Sequence, residues 1–410
     1  MFFCKTLETP LRLRYLWYAK NEAGDVCLRY LGADVANLRL QSDAHDLEWL
    51  PINLCNTTTF RIEEIHVKVK NKPIWARELL NLRPAAGAIS YVPQFHSLER
   101  GPVATYTLYD VLVVAKPSLI LTPSGEILYE SSAYRDFPEP LGGQIHGTTV
   151  DTDKARLYAD SQYCLLCGIW DYQFWHWMMD YIPKAVIAEA AGFTGKYLVP
   201  RISGFVEESL DMLGISQARL VEYDGTLARI SSLLVVEAIE GFKDLPYYPA
   251  LVHELRNRLL ASSTRKPGGN APERLYVARK IPERPRKVTN EVELMKLLKR
   301  FGFHKVYMEE LPLREQIGLA SSARAMVGPH GAGMVHALFM PERSLVIEFF
   351  SPYYVLTSQV STLALFGHRY YSIVGSNGPL WPYKAGMDVE VDITLSEATL
   401  SRELREESFK

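Results

Sequence analysis

The run Val327-Gly-Pro-His-Gly-Ala-Gly-Met-Val-His336 gathers glycines and histidines where an apolar strand gives way to a helix. Gly331 and Gly333 lack side chains, so backbone can approach a ligand closely there. The helix-start N–H groups from Gly331 through Ala332 and Gly333 to Met334 then face an anion such as a diphosphate. His330 can contribute to balancing that charge. A tight turn needing positive φ is the competing explanation. The pattern is not G-x-G-x-x-G, because position 336 is His, and no acidic residue follows at the ribose-reading spacing. Both facts argue against a nicotinamide dinucleotide fold.

Cations stand at a neighbouring strand end. Arg279 and Lys280 close the run Arg274-Leu-Tyr-Val-Ala-Arg279, and Arg284 and Arg286 lie in the loop beyond it. Arginine there can clamp phosphate bidentately. A solvated basic loop is the plainer reading for Arg284 and Arg286. Glu348, inside Leu345-Val-Ile-Glu-Phe-Phe350, is a carboxylate whose burial is costly unless it is hydrogen-bonded. Ribose hydroxyls would satisfy it, as would an internal ion pair.

A second constellation is Trp170-Asp-Tyr-Gln-Phe-Trp-His176-Trp-Met-Met-Asp180. His176 and Asp180 are four residues apart, hence on one helix face, where the carboxylate can orient the imidazole for general-base work. The aromatics Trp170, Tyr172, Trp175 and Trp177 are candidates for stacking on sugar faces, and His146 in a Gly-rich loop is a weaker candidate for the base. An aromatic-rich core helix with one satisfied His–Asp pair is the alternative.

Other motifs carry less. Asp151-Thr-Asp153 has D-x-D spacing, which can hold a divalent ion, but it sits in a polar loop far from the glycine run, and no metal is expected. Cys164-Leu-Leu-Cys167 has C-x-x-C spacing without a second Cys or His pair, so buried strand cysteines are expected.

The elements that must position these residues alternate. Strands are predicted at Tyr163 to Leu166, Tyr197 to Pro200, Leu233 to Glu237, Arg274 to Arg279, His304 to Met308, Ala325 to Val327, Ser344 to Phe349 and Arg369 to Ile373. Between them the periodicity predicts helices over Asp171 to Ala191 (interrupted by Pro183), Glu207 to Leu213, Tyr248 to Ala261, Asn290 to Arg300, Leu313 to Ser322, about Met334 to Met340, and Tyr353 to Phe366. Asn290 and Thr394 read as N-caps, the latter of a terminal helix. Alternation of this kind means crossover connections and a doubly wound parallel sheet. Residues 103–134 read as strands joined by a Pro123-Ser-Gly125 turn, whereas 1–95 is mostly β and unassigned. The Gly- and Pro-containing stretch 262–272 reads as a linker. The expected organisation is therefore an α/β domain over 96–262, a second, Rossmann-like α/β domain over 273–375, and a C-terminal strand and helix over 376–410.

Composition narrows the class. The 410 residues carry 45 Lys and Arg against 47 Asp and Glu, with 48% hydrophobic and 22% charged residues. That excludes a disordered chain or a small disulfide scaffold and argues against a dedicated nucleic-acid binder. No stretch approaches 18 apolar residues and Lys5 and Glu8 interrupt the N-terminus, so a cytoplasmic protein is expected.

The residues around His176 also carry a resemblance. Phe174-Trp-His176-Trp-Met-Met-Asp180-Tyr-Ile-Pro183-Lys resembles the HWLLDxLPR signature of glycosyltransferase family 61. Tyr197-Leu-Val-Pro, Arg274 to Arg279, Asn290 to Leu294, and Gly328 to Gly333 through Glu348 follow in the family's order. The resemblance implies a GT-B-like α/β fold of two Rossmann-like halves facing a cleft, 96–262 as the acceptor side with His146, Trp175 and Trp177, and 273–375 as the nucleotide-sugar-binding half, with the mostly β N-terminal portion added. It implies inverting transfer from a nucleotide-sugar, usually a UDP-sugar, without an essential metal or other cofactor. Lacking an anchor and secretory cysteines, the chain looks like a bacterial member of the capsular polysaccharide type. Its acceptor would be a glycan or lipid-linked glycan, at the inner face of the membrane. A catalytically silent glycan- or nucleotide-binding protein is the alternative.

Overall fold

The computed structural model describes residues 16–20, 26–30, 89–97, 101–114, 119–121, 155–168, 170–236, 248–263, 271–280, 286–351, 362–363, 365–375 and 388–406. The chain forms two compact units. One comprises Phe60–Gly241 and Tyr247–Ser262, the other Met1–Thr59, Phe242–Pro246 and Ser263–Lys410. The described N-terminal strands β1 (Leu16–Lys20) and β2 (Val26–Tyr30) pair antiparallel.

The first of these units is built on a mixed sheet. In chain order its strands are β3 (Ile89–Ser97), β4 (Gly101–Val114), β5 (Leu119–Leu121), β6 (Arg156–Tyr158), β7 (Tyr163–Leu165), β8 (Lys196–Val199), β9 (Leu220–Glu222) and β10 (Ala228–Val236). They run β3-β4-β10-β7-β8-β9 across the sheet, with β5 on β4 and β6 on β10. The β10-β7-β8-β9 half is parallel, while β4 pairs antiparallel with β3, β5 and β10. Its core gathers Tyr106, Leu108, Tyr163, Leu198, Tyr223 and Leu233.

The crossover from β7 to β8 carries the aromatic-rich segment. It starts as a helical turn, Phe174–His176, passes through a π-helical turn, Trp177–Tyr181, and continues as α1, Ile182–Ala190. Ile182 N–H bonds the carbonyl of Trp177, five residues back. Pro183 has no N–H and its ring crowds the carbonyl four residues earlier, so the break expected at Pro183 takes the form of a widened turn just before it. Helix α2 (Gly204–Met212) then connects β8 to β9, and Gly214, at φ 79°, stops it. Helix α3 (Pro249–Ala261) follows β10.

The other unit holds a five-stranded, wholly parallel sheet. Its strands are β11 (Arg274–Val277), β12 (His304–Val306), β13 (Ala325–Pro329), β14 (Leu345–Phe350) and β15 (Arg369–Val374). The order β12-β11-β13-β14-β15 is the doubly wound order in which the chain reverses direction between β11 and β13. Helices α4 (Glu291–Arg300) and α5 (Leu313–Ser322) make the first two crossovers. The last described helix is α6 (Ile393–Glu406). The helix expected from Met334 is instead a 3-10 helix, Ala332–Phe339.

Two expected caps are replaced. Asn290 makes no side-chain cap to α4, because its amide bonds both the N–H and the carbonyl of Val391. Asp392, rather than Thr394, accepts the N–H of Leu395 at 2.8 Å. The helix expected over 353–366 lies largely outside the described residues, as do the turn at 123–125 and most of residues 1–95.

Candidate functional site

Two groups of residues occupy the carboxyl ends of parallel strands, one group in each unit. That is where open α/β sheets place ligands, because loops from neighbouring strands diverge there and leave backbone groups exposed.

In the parallel sheet the group lies at the reversal between β11 and β13. Arg279 follows β11; His330 and Gly331 follow β13. Nη2 of Arg279 donates to the His330 carbonyl at 3.1 Å, bridging the two strand ends. A Cβ placed on Gly331 would fall 1.7 Å from that same Nη2. Gly331 has an extended backbone, φ 162°, so positive φ is not what requires glycine here. Its missing side chain makes room for the guanidinium. Gly333 likewise clears Val277, whose Cγ1 would lie 3.0 Å from an added Cβ, and Gly328 clears the Val277 carbonyl and the Met334 sulfur. The glycine run thus fits protein against protein. Met334 is buried beneath it.

His330 and Glu348 form a buried pair, with Nδ1 2.7 Å from Oε1. Burial holds the His330 pKa below its usual value, opposed by Glu348 and reinforced by the positive charges of Arg286 and Arg279. Glu348, read as a ribose acceptor, has both oxygens engaged internally: Oε2 accepts the Tyr370 hydroxyl at 2.6 Å. Lys280 leans elsewhere, its ammonium paired with Glu310 and its N–H donating to Glu309. His336 is also buried, with Nδ1 2.8 Å from the Gly333 carbonyl and Nε2 2.7 Å from the side-chain amide of Gln316. That tethers the glycine run to α5.

In the mixed-sheet unit the group lies just beyond β7. His176 Nδ1 stands 2.6 Å from Asp180 Oδ2 across the π-helical turn. Trp170 stacks on the imidazole at 4.8 Å and 22°, and Trp175 meets it edge-on at 4.9 Å. The His176 side chain is 13% exposed and that of Asp180 5%, so the pair is sheltered but reachable. Trp177 belongs to the core instead of the acceptor side: it is fully buried, and Nε1–H donates to Ser209 at 2.8 Å. Tyr172 is the exposed aromatic of this segment, at 64%.

Arg284, His146, Asp151 and Asp153 lie outside the described residues. Among the described residues, no group of three or more His, Cys, Asp or Glu side chains could hold a metal ion. Cys164 and Cys167 are buried free thiols, and burial pushes Cys164 up to about 12. Among the described residues, no helix is long and apolar enough to cross a membrane.

Residues 174–347, which contain the His176–Asp180 pair, Arg279 and the glycine run, match the family model Glycosyltransferase 61. This region belongs to glycosyltransferase family 61. The resemblance read from its separated motifs is borne out at the level of the family. An EGF domain-specific O-linked N-acetylglucosamine transferase of Drosophila melanogaster is 32% identical over 69 residues. The match takes in 16% of this chain and 13% of that relative's length.

Two contacts made by residues outside the matched region have no signal in the sequence. Trp170, expected only as one of four sugar-stacking aromatics, stacks on His176, a contact that depends on the turn at 170–173. Tyr370 lay in an apolar strand with no signal linking it to Glu348; only the β14–β15 pairing brings them together.

Proposed function

We propose that this protein is an inverting, metal-independent glycosyltransferase that moves a sugar from a nucleotide-sugar, with UDP-sugars as the donor class, to a glycan acceptor. The observation that carries the reading is Arg279, held over Gly331 at the chain reversal inside a family 61 region. A guanidinium held through Nη2 by a carbonyl is pre-oriented, so less side-chain freedom is lost when it meets a diphosphate. Arg286 adds charge at the same loop, and the backbone of 331–333 would supply donors to the phosphate oxygens, the Met334 N–H being bonded to the Gly331 carbonyl.

The other half of the chemistry is assigned to His176. Inverting transfer needs a base that takes the proton of the acceptor hydroxyl as its oxygen attacks the anomeric carbon. The nucleoside diphosphate leaves from the opposite face. Asp180 fixes the imidazole with Nδ1 toward the carboxylate, which leaves Nε2 as the atom that accepts the proton. Trp170 and Trp175 hold the ring plane, and Trp175 with Tyr172 offers aromatic surface to acceptor sugars. The two α/β units are read as the halves of a GT-B-like transferase. The cellular setting we assign is surface or capsular polysaccharide synthesis in a bacterial cytoplasm, with a glycan or lipid-linked glycan acceptor at the membrane's inner face.

Titration calorimetry with UDP tests the donor assignment. Wild type should bind UDP, and Arg279→Ala should bind it at least tenfold more weakly, the loss expected for a charge-assisted contact of about 1.5–3 kcal/mol. Unchanged affinity in Arg279→Ala would remove the arginine from the donor site. Slow hydrolysis of one nucleotide-sugar from a panel would separate a transferase from a silent binder.

A further inference from the structure

Glu348 is 1% exposed in the middle strands of a parallel sheet, a placement that a carboxylate tolerates only with strong partners. It has two, and they lead to the same residue. Tyr370 lies on the neighbouring strand β15, where the register puts it on the same face as Glu348, and its hydroxyl donates to Oε2 at 2.6 Å. Oε1 meets His330 Nδ1 at 2.7 Å. His330 is further held by a stack on Phe350 at 4.8 Å and 23°, and by its backbone N–H donating to the Phe349 carbonyl at 2.8 Å. Its own carbonyl is the acceptor that orients Arg279. The ring edge, ring face and N–H of His330 are thus held from β14 and its carbonyl meets Arg279 just beyond β11, with Tyr370 on β15 backing the carboxylate.

We propose that Glu348 and Tyr370 are positioning residues that act through His330. They commit its Nδ1–H to the carboxylate and lock the carbonyl on which Arg279 is aimed. The role rests on the donor-site reading given above and replaces ribose recognition as the function of Glu348, since both carboxylate oxygens are spent within the protein. Tyr370 sets the carboxylate, the carboxylate sets the imidazole, and the imidazole residue sets the guanidinium.

Imidazole ¹⁵N spectra test the first link without any ligand. With the His330 signals assigned by their loss in His330→Gln, the wild-type ring should be the neutral form protonated at Nδ1. Tyr370→Phe and Glu348→Gln should shift those signals while melting cooperatively near the wild-type temperature. A wild-type ring protonated at Nε2 alone, or spectra unmoved in both variants, would overturn the proposal. UDP calorimetry tests the second link. Tyr370→Phe should weaken UDP about threefold to tenfold, the loss of one hydrogen bond, and should cost nothing more in an Arg279→Ala background. Additive losses would sink it. Glu348→Gln should lose as much affinity for 2′-deoxy- and 3′-deoxy-UDP as for UDP. If its defect disappears with either deoxynucleotide, Glu348 reads the ribose and the proposal fails. A wild type that binds no UDP would overturn the donor reading instead, and the imidazole spectra would still decide the positioning role.

Discussion

The Nη2 atom of Arg279 occupies the space where a side chain on residue 331 would begin. An added Cβ would lie 1.7 Å from Nη2 and 2.8 Å from Cζ. Because the backbone at 331 is extended, any residue could adopt it; what an added Cβ meets is the guanidinium, which would have to move from its place. One strand end therefore carries the cation and the next carries the gap that receives it.

That relationship predicts the behaviour of Gly331→Ala. The methyl group must displace Arg279, at an overpacking cost of about 1–3 kcal/mol. UDP affinity and turnover should both fall at least tenfold, with the melting temperature lowered by a few degrees. In an Arg279→Ala background the clash is gone, so Gly331→Ala should add almost nothing. A full additional loss, read by calorimetry on the double variant, would show that the glycine serves some other contact.

The parallel sheet was legible because its central strands are buried on both faces and so appear as unbroken apolar runs between amphipathic helices. Leu313–Ser322 is the expected helix residue for residue, and the strand at 345–350 is displaced by one. What escaped depends on partners distant in sequence. Asn290 sits at the right place for a cap, yet Val391 claims its amide. Pro183 announces a break but not that the turn before it, Trp177–Tyr181, is π-helical. The antiparallel pairing of β4 with β10 joins segments more than a hundred residues apart, which no local pattern encodes.

Metal independence follows from the charge balance proposed at the donor loop. In that proposal Arg279, Arg286 and the backbone of 331–333 balance the diphosphate, which leaves no role for a cation held at Asp151 and Asp153. Transfer should continue in excess EDTA, and Asp151→Ala with Asp153→Ala should retain activity within about threefold. Turnover abolished by EDTA and restored by Mn²⁺ would reverse the assignment.

The glycine run should also loosen in acid. Burial pushes the His336 pKa down to about 4, against about 6.5 for an exposed histidine. As pH falls from 6.5 towards 4 the unfolded chain takes up a proton at this residue and the folded one does not, so stability falls over that window. The full contribution is about 3 kcal/mol. His330, shifted the same way by burial, adds to the slope. Chemical denaturation between pH 7 and 4 should show declining stability, with a shallower decline in His336→Gln. A slope unchanged in that variant would mean that His336 takes up its proton alike in the folded and unfolded chains, and the burial argument would fail.

The base assignment makes the sharpest claim. His176 is held by Asp180 at 2.6 Å and clasped by Trp170 and Trp175, contacts that fix the ring. Losing a general base costs roughly 10²–10⁴-fold in rate, whereas donor binding at the glycine run should be untouched. His176→Ala should therefore bind UDP like wild type and transfer far more slowly. Asp180→Asn keeps the shape but removes the charge that orients and supports the imidazole, so it should also lower kcat, by less than the histidine deletion, with little change in KM for the donor. The pair must also be non-additive: with the imidazole gone, Asp180→Asn has nothing left to orient and should cost little further rate. Normal transfer by His176→Ala, or independent losses in the double variant, would make the pair structural and place the base elsewhere.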